Sequence, residues 1–199
     1  MKHGSIARLG LALWLAPAPA LAEGEPPGGV DLLAGLTFRT YDDSLQLGAA
    51  QVESEELRTV LLPGVGAGVA YPLTPDRHGE VLPVGATRVE LGWALEPGQL
   101  VLSVPERVGF DLRVGLGFAI HLGFEVAPVI NLTDPSLSHL SFGPALALRY
   151  TFVEASWTPT ATVPLASDTR TVFGGELRHE VAARVQPLGL GIGLRFPLL

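Results

Sequence analysis

Every even position of VGFDLRVGLGFAIHLGFEVAPVINL, residues 108–132, carries an apolar residue. The odd positions up to Glu125 are small or charged, and with the preceding Arg107 they include Asp111, His121 and Glu125. A period of two is typical of β-strands with two unlike faces. In a soluble β-protein the polar face meets water and the apolar face forms a core. In a membrane barrel the apolar face meets lipid and the other face lines the lumen.

The N-terminus favours export. Lys2, His3 and Arg8 precede an apolar stretch, residues 9–22, that ends in Ala-Leu-Ala. This order matches a secretory signal peptide and predicts cleavage after Ala22. The alternative is a retained membrane anchor, but this stretch contains two prolines and is shorter than the ~20 residues that a spanning helix needs. The predicted organisation is a signal peptide at 1–22, a periplasmic lead-in at 23–29 and a barrel domain at 30–199.

The composition of the predicted mature chain is acidic. It has 11 arginines, no lysine and 20 acidic residues, so its net charge is near −9. This balance argues against nucleic acid as a partner, because nucleic-acid-binding surfaces are basic. The chain has no cysteine, which excludes disulfides, thiolate metal sites and cysteine nucleophiles. Mean hydropathy is positive, yet no stretch after the signal resembles a transmembrane helix, which leaves a β-barrel as the way into a bilayer.

Alternating segments separated by turn-rich patches predict eight strands. They lie at 30–41, 57–71, 84–95, two within 100–131, 139–150, one that begins at 153, and 188–198. A further hairpin at 177–185 raises the number to ten if it reaches the membrane. The irregular segments expected to make contacts outside the barrel are the loops Asp42 to Glu56, Asn131 to Ser138 and Thr160 to Glu180.

The parity of the alternation predicts the register of one hairpin. It is preserved across residues 115–117, which predicts a three-residue turn with a glycine in the left-handed conformation. Asp111 then lies opposite His121, and Arg107 lies opposite Glu125. A shift of the pairing by four would instead place Asp111 opposite Glu125, which is unfavourable for two like charges.

A second hairpin follows from a change of parity after Tyr150. Inward positions are odd up to Arg149, whereas the apolar positions beyond the turn are Val153, Ala155 and Trp157. A two-residue turn at Thr151-Phe152 produces this change. It places Arg149 directly across from Glu154 on the polar side.

The signal peptide, the even number of alternating segments and the amphipathic last strand together resemble the small bacterial outer-membrane β-barrel proteins. The resemblance covers residues 30–198 and implies an antiparallel up-and-down transmembrane β-barrel in the outer membrane. It also implies outer-membrane lipid and the barrel-assembly machinery as partners.

Chains of that family usually end on an aromatic residue, whereas this alternation runs through Phe196 to Leu198 and is followed by Leu199. Aromatic residues at or near strand ends suit interfacial girdles; they are Tyr41, Tyr71, Trp93, Phe142, Tyr150, Trp157 and Phe196.

Charged residues of both signs fall on the inward face. The set predicts a paired ionic network that fills the lumen, and a transport pathway is the alternative. No cofactor or metal is expected, because the histidines share no ligand spacing. The predicted network consists of Arg39, Arg88, Glu90, Arg107, Asp111, Arg113, His121, Glu125, Arg149, Glu154 and Arg195.

The expected function is a structural, surface-interaction or narrow-pore role without catalysis, with a loop partner that the sequence does not identify. One alternative is a secreted or periplasmic soluble barrel, lipocalin-like, that binds a small ligand in an apolar interior. A second is a lipid-modifying hydrolase. Some outer-membrane lipid A deacylases carry a His-x-Ser pair with a Glu on a neighbouring strand, and the resemblance would give His139 the role of base, Ser141 that of nucleophile and Glu154 that of orienting group.

Overall fold

The computed structural model describes residues 29–49, 52–74, 80–96, 98–115, 117–172 and 175–198. The predicted signal peptide lies outside these residues, as does the predicted lead-in apart from Gly29. Among the described residues, no helix is long and apolar enough to cross a membrane. The elements are β1 Asp31–Ala49, β2 Val52–Pro72, β3 Val81–Ala94, β4 Gln99–Ser103, β5 Glu106–Gly115, β6 Phe118–Asn131, a 3₁₀ turn Pro135–Leu137, β7 His139–Tyr150, β8 Val153–Trp157, β9 Thr160–Pro164, β10 Asp168–Val172, β11 Gly175–Val181, β12 Val185–Gln186 and β13 Gly189–Pro197.

The strands close into one antiparallel barrel with eight positions. Five positions hold the single strands β1, β2, β3, β6 and β7. The other three hold successive pieces that share a neighbour: β4 and β5 pair with β3, β8 and β9 pair with β7, and β11 and β13 pair with β1. Pairing of β13 with both β8 and β1 closes the ring. The predicted all-β, antiparallel, eight-stranded up-and-down barrel is confirmed.

The two ends of the barrel differ. One end, called the turn end here, holds the tight turns β5–β6 and β7–β8, together with Asp31 and Pro197. The opposite end, called the loop end, holds the 3₁₀ turn and the hairpins β1–β2 and β10–β11. The hairpin predicted at 177–185 does not form, because Leu177 to Val181 lie in β11 beside β1, whereas Val185 begins β12 beside β9. The alternative of ten barrel strands is therefore wrong.

The predicted hairpin registers are confirmed. Asp111 is the Cα partner of His121, and Arg107 that of Glu125. Gly117 has φ +77°, the left-handed conformation that glycine adopts without steric cost. The pairing shifts by one between Arg113 and Gly115, so the turn carries a bulge. Arg149 is likewise the Cα partner of Glu154.

Two predicted loops are wrong. Within Asp42 to Glu56, β1 continues to Ala49 and β2 begins at Val52, and the two strands pair along this whole length. Thr160 to Glu180 contains β9, β10 and most of β11. With β10 and β11, the outer parts of β1 and β2 form a four-stranded sheet at the loop end. Both faces of such a sheet tolerate polar residues, so apolar alternation did not mark these strands.

The outward face of the barrel is apolar around its circumference. Leu36 is 50 % exposed and Ile192, its partner across the β1–β13 seam, is 55 % exposed. Exposed apolar residues of this kind occur on each of the larger barrel strands. They include Leu32, Phe38, Leu61, Val65, Val89, Leu91, Trp93, Val108, Phe110, Leu122, Phe124, Leu148, Trp157, Leu190, Leu194 and Phe196.

The interior has two halves. Ionic groups occupy the half toward the turn end, and an apolar cluster fills the half toward the loop end. Tyr41 belongs to this cluster and is 1 % exposed, so its predicted place in an interfacial girdle is wrong. Its odd position shares the inward face with Arg39. The cluster consists of Tyr41, Val60, Leu62, Ala94, Val101, Ala127, Val129, Leu137 and Val181.

Candidate functional site

Ten of the eleven charged residues that the sequence analysis selected form one connected ionic network inside the barrel. Arg113 differs, because its side chain is exposed near the turn end of β5. The network joins seven of the eight barrel positions, and the eighth, β2, contributes glycine instead of charge to the same face. Its members are Arg39, Arg88, Glu90, Arg107, Asp111, His121, Glu125, Arg149, Glu154 and Arg195.

Glu125 is the centre of the network. Its carboxylate accepts from Arg39 Nη2 at 2.8 Å, from Arg107 Nη2 at 3.0 Å and from Arg88 Nη2 at 3.4 Å. These arginines come from β1, β5 and β3, so a single carboxylate on β6 ties together three other strands. Arg39 also lies 3.4 Å from Glu90 through Nε. Such links between non-adjacent strands fix side chains across the lumen.

Asp111 forms a second centre nearer the turn end. It contacts His121 Nδ1 at 2.8 Å, Arg149 Nη1 at 3.1 Å and Arg195 Nη1 at 3.2 Å. Arg195 also pairs with Asp31 on the adjacent strand. Asp31 was not among the predicted network residues, although its odd position places it on the same inward face as Arg39.

Glu154 links the two centres, and its partners differ from those expected. Although Arg149 lies opposite it in the ladder, the carboxylate of Glu154 lies 3.3 Å from Arg107 Nη1 and 3.9 Å from Arg195 Nη1. The Arg149 side chain reaches Asp111 instead. Backbone register therefore predicted correctly which residue lies opposite Glu154. The long arginine side chains, however, pair with carboxylates on other strands.

Glycines opposite the charged residues leave them room. A Cβ at Gly66 would lie 2.7 Å from Glu90 Cγ, and one at Gly68 would lie 2.7 Å from Arg88 Cγ. Any larger residue on this face of β2 would displace the network. A void of about 10 Å³ beside Arg88 and Glu154 has about the volume that one water needs.

The residues of the hydrolase alternative are not brought together. His139 and Arg149 lie at opposite ends of β7, and Glu154 is paired with the latter. The separation is about 33 Å at ~3.3 Å per residue. His139 Nδ1 lies 3.1 Å from the Leu137 carbonyl oxygen, and its ring lies 5.2 Å from that of Tyr41. Those three residues therefore do not form the proposed catalytic set.

A cavity of about 580 Å³ opens at the loop end. Its roof is one face of the β1–β11–β10 sheet, since register places Leu45, His179 and Asp168 side by side and Arg170 beside Leu177. Its floor is the mouth of the barrel. The lining residues are Leu45, Gln99, Thr133, Asp134, Asp168, Arg170, Leu177 and His179.

A polar cluster holds the floor in place. Asn131 Nδ2 donates to Gln99 Oε1 at 2.7 Å, and Tyr41 donates to the same oxygen at 3.4 Å. Asn131 Oδ1 accepts from the backbone N–H groups of Thr133 and Asp134 at 3.0 and 2.8 Å. The loop after β6 is therefore folded back over the lumen by a single asparagine.

His179 braces the roof to the floor. Its Nε2 lies 2.7 Å from Asp43 Oδ1, and its Nδ1 lies 3.4 Å from Ser136 Oγ and 3.8 Å from Asp134 Oδ2. The Ser136 hydroxyl lies closer to Asp134, at 2.6 Å, and does not line the cavity. Although Ser, His and Asp meet here, the serine is held by an acid and not freed for attack. Sequence reasoning missed this cluster because its members come from distant segments without common spacing.

No family model matches the sequence, and no curated protein matches it. Among solved structures, the crystal structure of Ail, the attachment invasion locus protein of Yersinia pestis, is similar over 84 % of this chain and 99 % of that chain. The sequence identity is 10 % and the TM-score is 0.30. A likeness at this score assigns neither activity nor partner, and the barrel architecture rests on the strand pairing described above.

Proposed function

We propose that this chain is an outer-membrane β-barrel protein whose lumen is closed by an ionic plug and whose loop end makes its biological contacts. One observation carries the proposal: the outside of the barrel is apolar, and the inside holds the charges. Soluble proteins rarely expose contiguous apolar patches larger than a few hundred Å². A soluble lipocalin-like barrel would instead expose its charges to water, whereas here the ionic network lies in the lumen and the outward face is apolar.

The height of the apolar surface suits a bilayer. On β2 the outward side chains are apolar from Leu61 to Tyr71, a length of 11 residues. A tilted strand needs about 9–11 residues to cross the hydrocarbon layer. Beyond Leu61 the hairpin turns polar, with exposed Glu55, Glu56 and Arg58. The polar sheet then stands outside the membrane.

The orientation follows from the two ends. Outer-membrane barrels have short turns on the periplasmic side and longer segments on the outer side. The turn end, with the tight turns near Gly117 and Thr151, is therefore placed in the periplasm. The loop end, with the four-stranded sheet and the cavity, is placed outside the cell.

The plug supports a role without conduction. Five arginines meet five carboxylates in the network once Asp31 is included, so its formal charge is balanced. An eight-stranded barrel has an interior just wide enough for side chains to fill, and the paired charges occupy it here. Because no group described inside the lumen has the arrangement of an activated nucleophile, the proposal includes no catalysis.

Fractionation tests the location. The mature protein should resist extraction by salt and urea, dissolve in detergent and migrate faster on a gel before boiling than after it. Recovery of a detergent-free monomer from the periplasm would contradict the membrane proposal. For the plug, planar-bilayer recording of the refolded chain should show no large, steady conductance, and a steady ohmic current would contradict a closed lumen.

A further inference from the structure

We infer that the loop-end cavity is a binding site for a neutral saccharide unit. The inference deepens the proposed function, since it rests on that proposal for the side of the membrane from which the ligand arrives. The cavity volume of about 580 Å³ lies within the ~300–1,000 Å³ typical of ligand sites. The cavity is separate from the ionic plug, and the strands close the barrel without filling it.

The floor offers unused hydrogen-bond donors. Gln99 is 7 % exposed, and its amide orientation is fixed because Oε1 already accepts from Asn131 Nδ2 at 2.7 Å. In the part of the chain that the structure describes, its Nε2 has no hydrogen-bond partner. The NH₂ group of this immobilised amide is open to the cavity that Gln99 lines. A bound hydroxyl oxygen would accept from it in place of water.

The walls offer donors and acceptors together. The Thr133 hydroxyl accepts from the backbone N–H of Leu100 at 3.0 Å, which leaves its proton to donate. Asp134 Oδ2 lies 3.8 Å from His179 Nδ1, beyond hydrogen-bond distance, and so remains able to accept. Asp168 and Arg170 pair at 2.7 Å and present one further acceptor and donor. A sugar hydroxyl both donates and accepts, so it satisfies groups of either kind.

The charged lining residues and the aliphatic residues on the roof indicate which class of ligand fits the cavity. Asp134 and Asp168 outnumber Arg170 among the fully charged lining groups, which disfavours a phosphate, sulfate or carboxylate ligand. A wholly apolar ligand would leave Gln99 unsatisfied. Leu45 and Leu177 supply an aliphatic patch on the roof, against which the C–H face of a pyranose ring packs.

The test uses the full mature chain, refolded in a detergent without a sugar headgroup. Neutral hexoses and hexose oligosaccharides are the probes, and saturation-transfer NMR is the measurement. We expect saturable binding that weakens about tenfold in Gln99→Leu, because the loss of an amide donor is worth about one hydrogen bond. Leu177→Trp, which fills the cavity from the roof without touching the amide cluster, should abolish binding. Thr169→Ala, on the opposite face of the same hairpin, is the matched control and should bind as the unaltered chain does.

Each result decides the inference. Lack of saturable binding by the unaltered chain would overturn it, as would stronger binding of sugar phosphates than of the neutral sugars. Equal binding by the unaltered chain and Leu177→Trp would overturn it as well, even if Gln99→Leu fails to fold. Fold is checked in every variant by heat-dependent gel migration, so a failed barrel is distinguished from an empty cavity. The membrane proposal has its own test in fractionation.

A neutral saccharide can come from the cell's own outer membrane or from an external glycan. The binding experiment therefore has two arms, one for each source. One arm uses free neutral oligosaccharides, and the other uses the neutral hexose part of the core oligosaccharide from the cell's own lipopolysaccharide, freed of its phosphates and acidic sugars. Tighter binding of the core oligosaccharide supports a saccharide of the same membrane. Tighter binding of the free oligosaccharides supports an external glycan.

Discussion

Glu125 is the residue on which the interior depends most. It is 1 % exposed and accepts from three arginines that come from three different strands. Removal of one arginine leaves two others to balance the carboxylate. Removal of the carboxylate instead leaves three buried cations without their common partner. Loss of one arginine should therefore destabilise the network less than loss of the Glu125 carboxylate.

We expect Glu125→Ala to lower the free energy of unfolding by about 3–5 kcal/mol, the usual cost of breaking a buried ion pair from one side. Arg88→Ala should cost less, because its contact with Glu125 at 3.4 Å is the longest of the three. Urea unfolding followed by heat-dependent gel migration measures both. Glu96→Ala, which removes a solvent-exposed partner of Arg58, should change little. Equal effects at Glu125 and Glu96 would contradict a central role for Glu125.

Thr151 holds a strained backbone conformation. Its φ is +52°, in the left-handed region that β-branched residues rarely adopt. Because asparagine tolerates this region in two-residue hairpin turns, Thr151→Asn should stabilise the barrel by up to about 1 kcal/mol. The opposite change at the other turn, Gly117→Val, should destabilise it. Urea midpoints measure both, and the strain interpretation fails if Thr151→Asn lowers the midpoint.

At the scale of elements, alternation was informative only where one face is lipid-like and the other is not. It gave β7 with its observed bounds, and the parity rule gave the registers around Gly117 and Thr151. It failed for the outer halves of β1 and β2, because both faces of that sheet are polar or mixed. It also missed that β11 and β13 share one barrel position, because residues 182–188 between them hold only the two-residue strand β12 and show no periodicity.

The seam between β1 and β13 is open to a direct test, because the chain has no cysteine. Leu36 and Ile192 are Cα partners, at a separation of about 4.5–5.5 Å for facing residues, which a disulfide spans. Leu36→Cys with Ile192→Cys should therefore cross-link on oxidation and give a faster-migrating band. Leu36→Cys with Leu194→Cys, displaced by two residues, should not. Efficient cross-linking of the displaced pair alone would contradict the register.

For the whole molecule, the sequence indicated the barrel and the charged lumen but not the cavity. The barrel follows from local alternation, and each inward charge is a property of one position in one strand. The cavity is made by Leu45, Gln99, Thr133, Asp168 and other residues from four separate segments. They meet only because the outer sheet folds over the barrel mouth, and that packing leaves no periodic trace in the sequence.

The orientation of the molecule gives a further prediction. Arg170 is exposed on the outer sheet, and Phe152 is 51 % exposed in a turn at the other end. In intact cells a membrane-impermeant maleimide should label Arg170→Cys and spare Phe152→Cys. After the outer membrane is permeabilised, both should react. The reverse pattern in intact cells would invert the proposed orientation.

Arg195 has a consequence for the order of assembly. It lies on β13, the strand that closes the barrel, and pairs with Asp31 on β1, Asp111 on β5 and Glu154 on β8. A nascent barrel that lacks β13 has four of the five arginines and all five carboxylates, so it carries an uncancelled negative charge at an open seam. An uncompensated charge is costly in the hydrocarbon layer. We expect the incomplete barrel to stay outside the bilayer until β13 arrives, so that a single guanidinium makes release into the membrane conditional on closure of the barrel.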